Sequence, residues 1–357
     1  MNSIDRAGLA EQIRNNCNIS DAQHAGIYSI CGLALRLRDL FKWEKRLPPW
    51  IEKEPAEVLE WIGEKEAGWE RLDGVDYKML SIGNDVYDPF ATQPINDLLI
   101  PQGMVYGAGY AYSLKPTFFL GQIESQGRIG GHPVFILGRE WARDLLTIPA
   151  FAQDNCVILR RESGMLYLYD KISYIKKSGR PALVFALSQC GIEAPSPRAI
   201  QRKLGDIYAA VKDTYIHHEI GEMREAVFDR SLWREMIAAF PHTPIELLVR
   251  AVKDLLADTH PLGTLPHIIK ERQAAALGFY VAFIDGLAKV IFADLRDDFM
   301  KFAATQDWAV MEASIAKGHQ QAKQYAERLM ELHLTGRRDH DDRWTAEQIK
   351  THILDKF

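Results

Sequence analysis

Residues 191–227 read GIEAPSPRAIQRKLGDIYAAVKDTYIHHEIGEMREAV, and the fold turns on where this stretch stops being a connection and becomes a helix. Gly191 to Pro195 carry no apolar periodicity and read as a linker. Ser196 followed by Pro197 is a helix start, the hydroxyl serving as cap and the proline taking the first helical position. From there Ile200, Leu204, Ile207 and Val211 recur at helical spacing and define one buried face. Upstream of the linker the chain is rich in Gly, Tyr, Val and Phe; downstream, helical periodicity runs almost to the end. The expectation is an α+β protein with two domains: residues 1–194, N-terminal helices with a mixed or antiparallel sheet, and residues 195–357, an all-α C-terminal helical bundle.

In the first domain, Asp21 is a candidate cap for a run in which Ile27, Ile30, Leu33, Leu37 and Leu40 share a helical face, ending near Pro48 and Pro49. A second helix fits 55–69, with a proline at its start. Trp43, Trp50, Trp61 and Trp69 crowd this lead and are expected to anchor its core, with a docking surface as the alternative. Strands are predicted at 104–114, 117–125, 132–138, 155–161, 165–171 and 181–187 from β-branched and aromatic content between turn signals. GREWARDLL (138–146) reads as a short helix, Glu162-Ser163-Gly164 as a hairpin turn and GRIGGHP (127–133) as a strand connection. In the second domain helices are expected at 197–229, 231–239, 244–257, 265–303 and 307–334. A last helix, 346–356, is expected to open on a Thr345/Gln348 capping box.

A chain of 357 residues, 47% hydrophobic and 25% charged, has enough apolar content for two folded domains. A net charge of −5 supplies no global field for nucleic acid or an anionic membrane, and the basic clusters are short. Cys17, Cys31, Cys156 and Cys190 never fall as C-x-x-C, so free thiols are expected rather than a zinc or redox site. MNSIDRAGLAEQIRNN lacks the apolar core of a secretory signal, which points to the cytoplasm. The apolar run 274–292 is interrupted by Asp285 and Lys289 and reads as a buried helix rather than a membrane span. An i, i+4 pair is expected between those two charges. Gly107-x-Gly109 lacks the third glycine of a dinucleotide loop, Tyr112 standing in its place, and fits a hairpin strand better. Neither G-x-S-x-G nor HExxH is present.

Chemistry enters where the stripe on the 197–229 helix turns polar. The face of Ile200, Leu204, Ile207 and Val211 continues into Tyr215, His218, Glu222 and Glu225. Ile216, Ile220, Met223 and Val227 form an opposing stripe, so the helix either builds a site with His218 and Glu222 or changes its buried side. His267 and Glu271 make a second imidazole–carboxylate pair. Glu312 and His319 flank an apolar seam formed by Trp308, Met311, Ile315, Gly318, Ala322, Tyr325, Leu329 and Leu332. Carboxylate and imidazole from three helices are the ligand chemistry of an iron or manganese pair in a helical bundle. In ligand kind alone the set is similar to ferritin-type and haem-oxygenase-type di-metal proteins. Their Glu-x-x-His spacing is absent, so no residue carries over from them.

GLALRLRDLFKWE (32–44), AVKDLLADT (251–259) and HHEIGE (217–222) together resemble a family of bacterial proteins with this two-part layout, to which no activity is assigned. The resemblance covers most of the chain and implies the layout alone. Three functions stand as expectations. One is a metal-binding bundle, in the form of a metal-dependent oxidoreductase, with His218, Glu222, His267, Glu271, Glu312 and His319 as ligands. Another is a non-catalytic interaction module, as a homo-oligomer or with a protein partner. The third is a small-molecule binder at the junction of sheet and bundle.

Overall fold

The computed structural model describes residues 4–111 and 114–357, so Tyr112 and the end of the strand expected at 104–114 lie outside the described residues. The chain forms two compact units that divide between Asp170 and Lys171.

The first unit begins with α1 (Arg6–His24), α2 (Ile30–Glu44) and α3 (Pro55–Trp69). A short hairpin follows, β1 (Leu80–Ile82) and β2 (Asp85–Tyr87), and then α4 (Thr92–Leu99). The strands β3 (Met104–Tyr110), β4 (Pro116–Ile129), β5 (His132–Arg143), β6 (Ala150–Gln153) and β7 (Cys156–Arg160) build a five-stranded sheet in the order β3-β4-β5-β7-β6. Only the β5–β7 pair in it is parallel, which makes the sheet mixed. Gly130 and Gly131 join β4 to β5, both at positive φ, as a tight two-residue hairpin requires.

Alternation along the strands divides the core. Phe118 and Leu120 face α1 and α4 with Leu9, Ile13, Ile95 and Leu99. Phe119 faces the other way and packs with Val105, Leu137 and Ile158. Gly107 stands opposite Phe119 in the register, and a Cβ there would lie 2.0 Å from the ring. Its glycine makes room for an aromatic, in keeping with the strand reading. A separate core joins Leu37, Leu40, Phe41, Trp43, Trp61 and Trp69 across α2 and α3, so three of the lead's tryptophans are anchors.

Helix α5 (Arg161–Ser173) runs across the boundary between the units. The second unit then contains α6 (Arg180–Gln189), α7 (Pro197–Arg224), α8 (Arg230–Ala239), α9 (Pro244–Thr259) and α10 (Thr264–Lys270). It continues with α11 (Ala274–Phe283), α12 (Gly286–Ile291), α13 (Leu295–Thr305), α14 (Trp308–Asp339) and α15 (Asp342–His352). Helix α9 packs against both α7 and α14, and Leu248, Val249, Val252, Leu255 and Leu256 are buried along it. None of the described helices is long and apolar enough to cross a membrane.

Several expectations are corrected. Residues 165–171 and 181–187 are helical, in α5 and α6, so 171–194 belongs with the second unit and the boundary precedes the expected residue 194. Alanines let α6 pack closely on α11: a Cβ on Gly278 would lie 2.9 Å from Ala186. Conversely, 138–143 lies in β5, and Glu162-Ser163-Gly164 opens α5 rather than a hairpin. Asp21 lies inside α1, and Ser29 caps α2 by accepting from Gly32 N. The run 265–303 breaks into four helices, with Arg272 and Gly286 at positive φ in its joints. Asp341, rather than Thr345, caps α15, and Asp285 pairs with Lys176 at 2.7 Å rather than with Lys289.

Candidate functional site

Helix α7 does change its buried side: Leu204, Ile207 and Val211 are buried early, Ile216 and Ile220 later. His218 nevertheless does not face bulk water. The approach of α9 is close enough that a Cβ on Gly221 would lie 2.2 Å from the Ala257 carbonyl oxygen. With the backbones this near, His218 Nδ1 sits 2.8 Å from Asp258 Oδ1, and its side chain is 31% exposed. The second Asp258 oxygen accepts from the Tyr280 hydroxyl of α11 at 2.8 Å. Three helices thus meet in one imidazole–carboxylate–phenol chain.

Burial alone would lower the pKa of His218. The Asp258 charge and hydrogen bond, with Asp254 and Glu219, outweigh it and hold the pKa well above the ordinary histidine value. Burial and the same carboxylate raise Tyr280, so its hydroxyl stays protonated. Asp258 orients the ring through Nδ1, leaving Nε2 as the nitrogen that can exchange a proton with a bound molecule.

The other sequence candidates lie elsewhere. Glu222, one turn beyond His218, is 3.7 Å from Lys253, whose ammonium lies over the Trp233 ring. His267 stacks on His217 with ring centroids 3.7 Å apart. Glu271 falls just past the end of α10, 3.7 Å from Lys270. Glu312 is exposed and 3.7 Å from Arg272, and His319 Nδ1 is 2.9 Å from Thr259 Oγ1. Burial lowers the pKa of His267 and of His319. Among the described residues no hydrogen bond or ion pair joins any two of these candidates. Nor do three His, Cys, Asp or Glu side chains there form a group that could hold a metal ion. The expected helix 265–303 is broken into four, and Glu222, Glu271 and Glu312 each lie beside a different cation, Lys253, Lys270 and Arg272. Asp258 and Tyr280 were missed by sequence reasoning. The available signal was Asp258 itself, an acid that follows the buried Leu255, Leu256 and Ala257 on α9.

The first unit contains a buried ionic cluster. Lys115, fully buried, lies 2.9 Å from Asp21 and 3.1 Å from Asp144. Beside it Arg160 pairs with Glu140 at 2.6 Å, both buried. Burial raises Asp21 to about 6, against the pull of Lys115, while Asp144 adds like-charge repulsion. Burial also opposes Asp144 ionisation, but Lys115 and Arg160 overcome this and lower its pKa. With the buried Arg143, on which the Glu140 and Asp144 charges also act, three cations stand against three carboxylates in the core, the pattern of a structural network.

A sheet-bearing α+β unit followed by a helical unit with a polar chain at its centre is the class that the architecture defines. Residues 8–160 match the N-terminal domain model, and residues 165–352 the C-terminal domain model, of a family of unknown function, DUF6866. The chain belongs to this family. No curated protein and no solved structure matches it.

Proposed function

We propose that the helical unit binds a small molecule at His218 and exchanges a proton with it. The observation that carries this reading is the 2.8 Å contact from His218 Nδ1 to Asp258 Oδ1 on a ring that keeps partial access to solvent. An imidazole held on one nitrogen by a carboxylate, itself held by Tyr280, is oriented for acid–base work on a ligand. The raised pKa favours its cationic form, which suits a general acid or a partner for developing negative charge. The test is a small-molecule library screened by thermal shift against the wild type and His218→Gln. Compounds that stabilise only the wild type support the reading. A hit list that is empty, or indifferent to the substitution, overturns it.

The same hydrogen bond favours a second reading, in which His218 is a metal ligand. Ligating imidazoles commonly give their other nitrogen to a carboxylate. His218, with Glu222 one turn on, would then hold iron or manganese in a metal-dependent oxidoreductase. Stoichiometric metal in the purified protein, lost in His218→Gln, supports this; metal-free protein as isolated from metal-replete cells counts against it.

A further inference from the structure

Leu166, Tyr169 and Asp170 join helix α5 to the rest of the first unit. Leu166 is buried in the core that α2 and α3 share. Tyr169 meets Trp50 edge-on, with ring centroids 6.4 Å apart. Asp170, one helical turn beyond Leu166, reaches Arg38 of α2. The first two contacts are aliphatic and ring packing, and the third is ionic.

Arg38 Nη2 carries two N–H groups and has three carboxylate oxygens around it. Asp170 Oδ1 and Oδ2 lie at 2.8 and 2.9 Å, and Oδ1 of the neighbouring Asp39 at 2.8 Å. Asp39 also accepts from Arg38 Nε at 3.2 Å. Two acids from two helices therefore share one guanidinium, and contact with the same nitrogen brings their carboxyl groups together. Asp39 is 5% exposed, and the Arg38 and Asp170 side chains 15% and 25%, so water screens the pair only in part. Nearby cations are engaged elsewhere. Lys42, three residues on from Asp39, is held by Glu52 at 2.6 Å. Arg143 of β5 feels the Asp39 charge but gives its hydrogen bonds to the Asp144 carbonyl, Ser163 and Thr147. Lys171, next to Asp170 in the chain, stands about 100° further round α5.

A proton resolves the crowding. With Asp170 protonated, its hydroxyl donates to Asp39 while Arg38 answers the remaining charge. With both acids ionised, two negative charges meet one positive charge in a half-buried place. Burial, and then the charge and hydrogen bond of Asp39, raise Asp170 from 3.8 to about 7 against the pull of Arg38. We propose that Arg38, Asp39 and Asp170 form a proton-operated clasp between α2 and α5, tight while Asp170 holds its proton and loosened when the proton leaves. A group raised in the folded state contributes stability that is complete below its unfolded value and is lost as pH rises through the folded one. The clasp therefore weakens between about pH 4 and about pH 7, at the residue where α5 leaves the first unit.

The test joins two measurements on the full chain: a carboxyl-carbon NMR titration of Asp170, and amide hydrogen exchange over residues 166–170, read as opening constants after correction for intrinsic exchange. In the wild type Asp170 is expected to titrate near 7. Opening should rise with pH by up to about tenfold per unit between about pH 4 and about pH 7, then level off. Asp170→Asn keeps a neutral donor toward Asp39, so its opening should stay at the low-pH level of the wild type throughout. Asp39→Asn removes the competing charge. Asp170 should then titrate nearer the ordinary carboxylate range, and the rise in opening should shrink. A wild-type midpoint at the ordinary Asp value, opening that does not vary with pH, or the same pH dependence in either variant overturns the proposal.

Discussion

Gly221 of α7 and Ala257 of α9 are in backbone contact: a Cβ added to Gly221 would lie 2.2 Å from the Ala257 carbonyl oxygen. That approach carries His218 to Asp258 on the next residue of α9. Alanine is the better helix former by about 1 kcal/mol. Gly221→Ala should nevertheless destabilise the protein, because overpacking against backbone costs roughly 1–3 kcal/mol or more. Chemical denaturation checks the sign. A stability gain would mean that the helices have room to spare.

The buried cluster around Lys115 makes an ordered prediction. Lys115→Met removes the ion-pair partner that the buried Asp21 and Asp144 share and should cost roughly 3–5 kcal/mol. Asp144→Asn should cost more than Asp21→Asn, since the fold favours ionised Asp144 and disfavours ionised Asp21. Denaturation midpoints of the three variants decide the order.

The same residues predict opposing pH dependences. Asp21, raised from 3.8 to about 6, contributes stability that is present below its unfolded pKa and lost as pH rises through the folded one. Asp144, lowered, contributes stability present above its unfolded value and lost as pH falls through the folded one. Asp21→Asn should therefore remove the part of the stability decline between about pH 4 and pH 6. Unfolding free energies across that range, in the wild type and the variant, test it.

Arg46 places a bulky side chain in a left-handed backbone conformation. Arg46→Ala and Arg46→Gly lose the same hydrogen bonds to Glu140 and Glu162, but only glycine relieves the backbone. The glycine variant should be the more stable of the two by about 1 kcal/mol. Equal stabilities would contradict the left-handed assignment.

Much of the architecture was legible because it is written in local signals. Ser196 accepts from Ala199 N as its position before Pro197 implies, and Gly130-Gly131 turns β4 into β5. The seam of α14 is buried at Met311, Ile315, Gly318, Ala322, Leu329 and Leu332. Errors arose where tertiary contacts override local pattern. PALVFAL carries strand-like residues, yet its two alanines and Leu183 form the face that packs in α6. GREWARDLL alternates, and its Glu140 and Arg143 are buried as strand residues because Arg160 and Ser163 satisfy them. The site was half visible. His218 stood out on its helix, but Asp258 and Tyr280 lie 40 and 62 positions away in sequence and no spacing rule links them.

The account rests most directly on the protonation of His218. Its folded pKa is raised above the unfolded value, near 6.5, so its stabilising contribution is complete below that value and is lost as pH rises through the folded pKa. The decisive measurement is an NMR titration of the His218 ring in the wild type and in Asp258→Asn. A midpoint well above 6.5 that falls in the variant is the predicted result. A ring that titrates at or below the ordinary value, unmoved by the loss of the Asp258 charge, would contradict the proposed proton-exchange site.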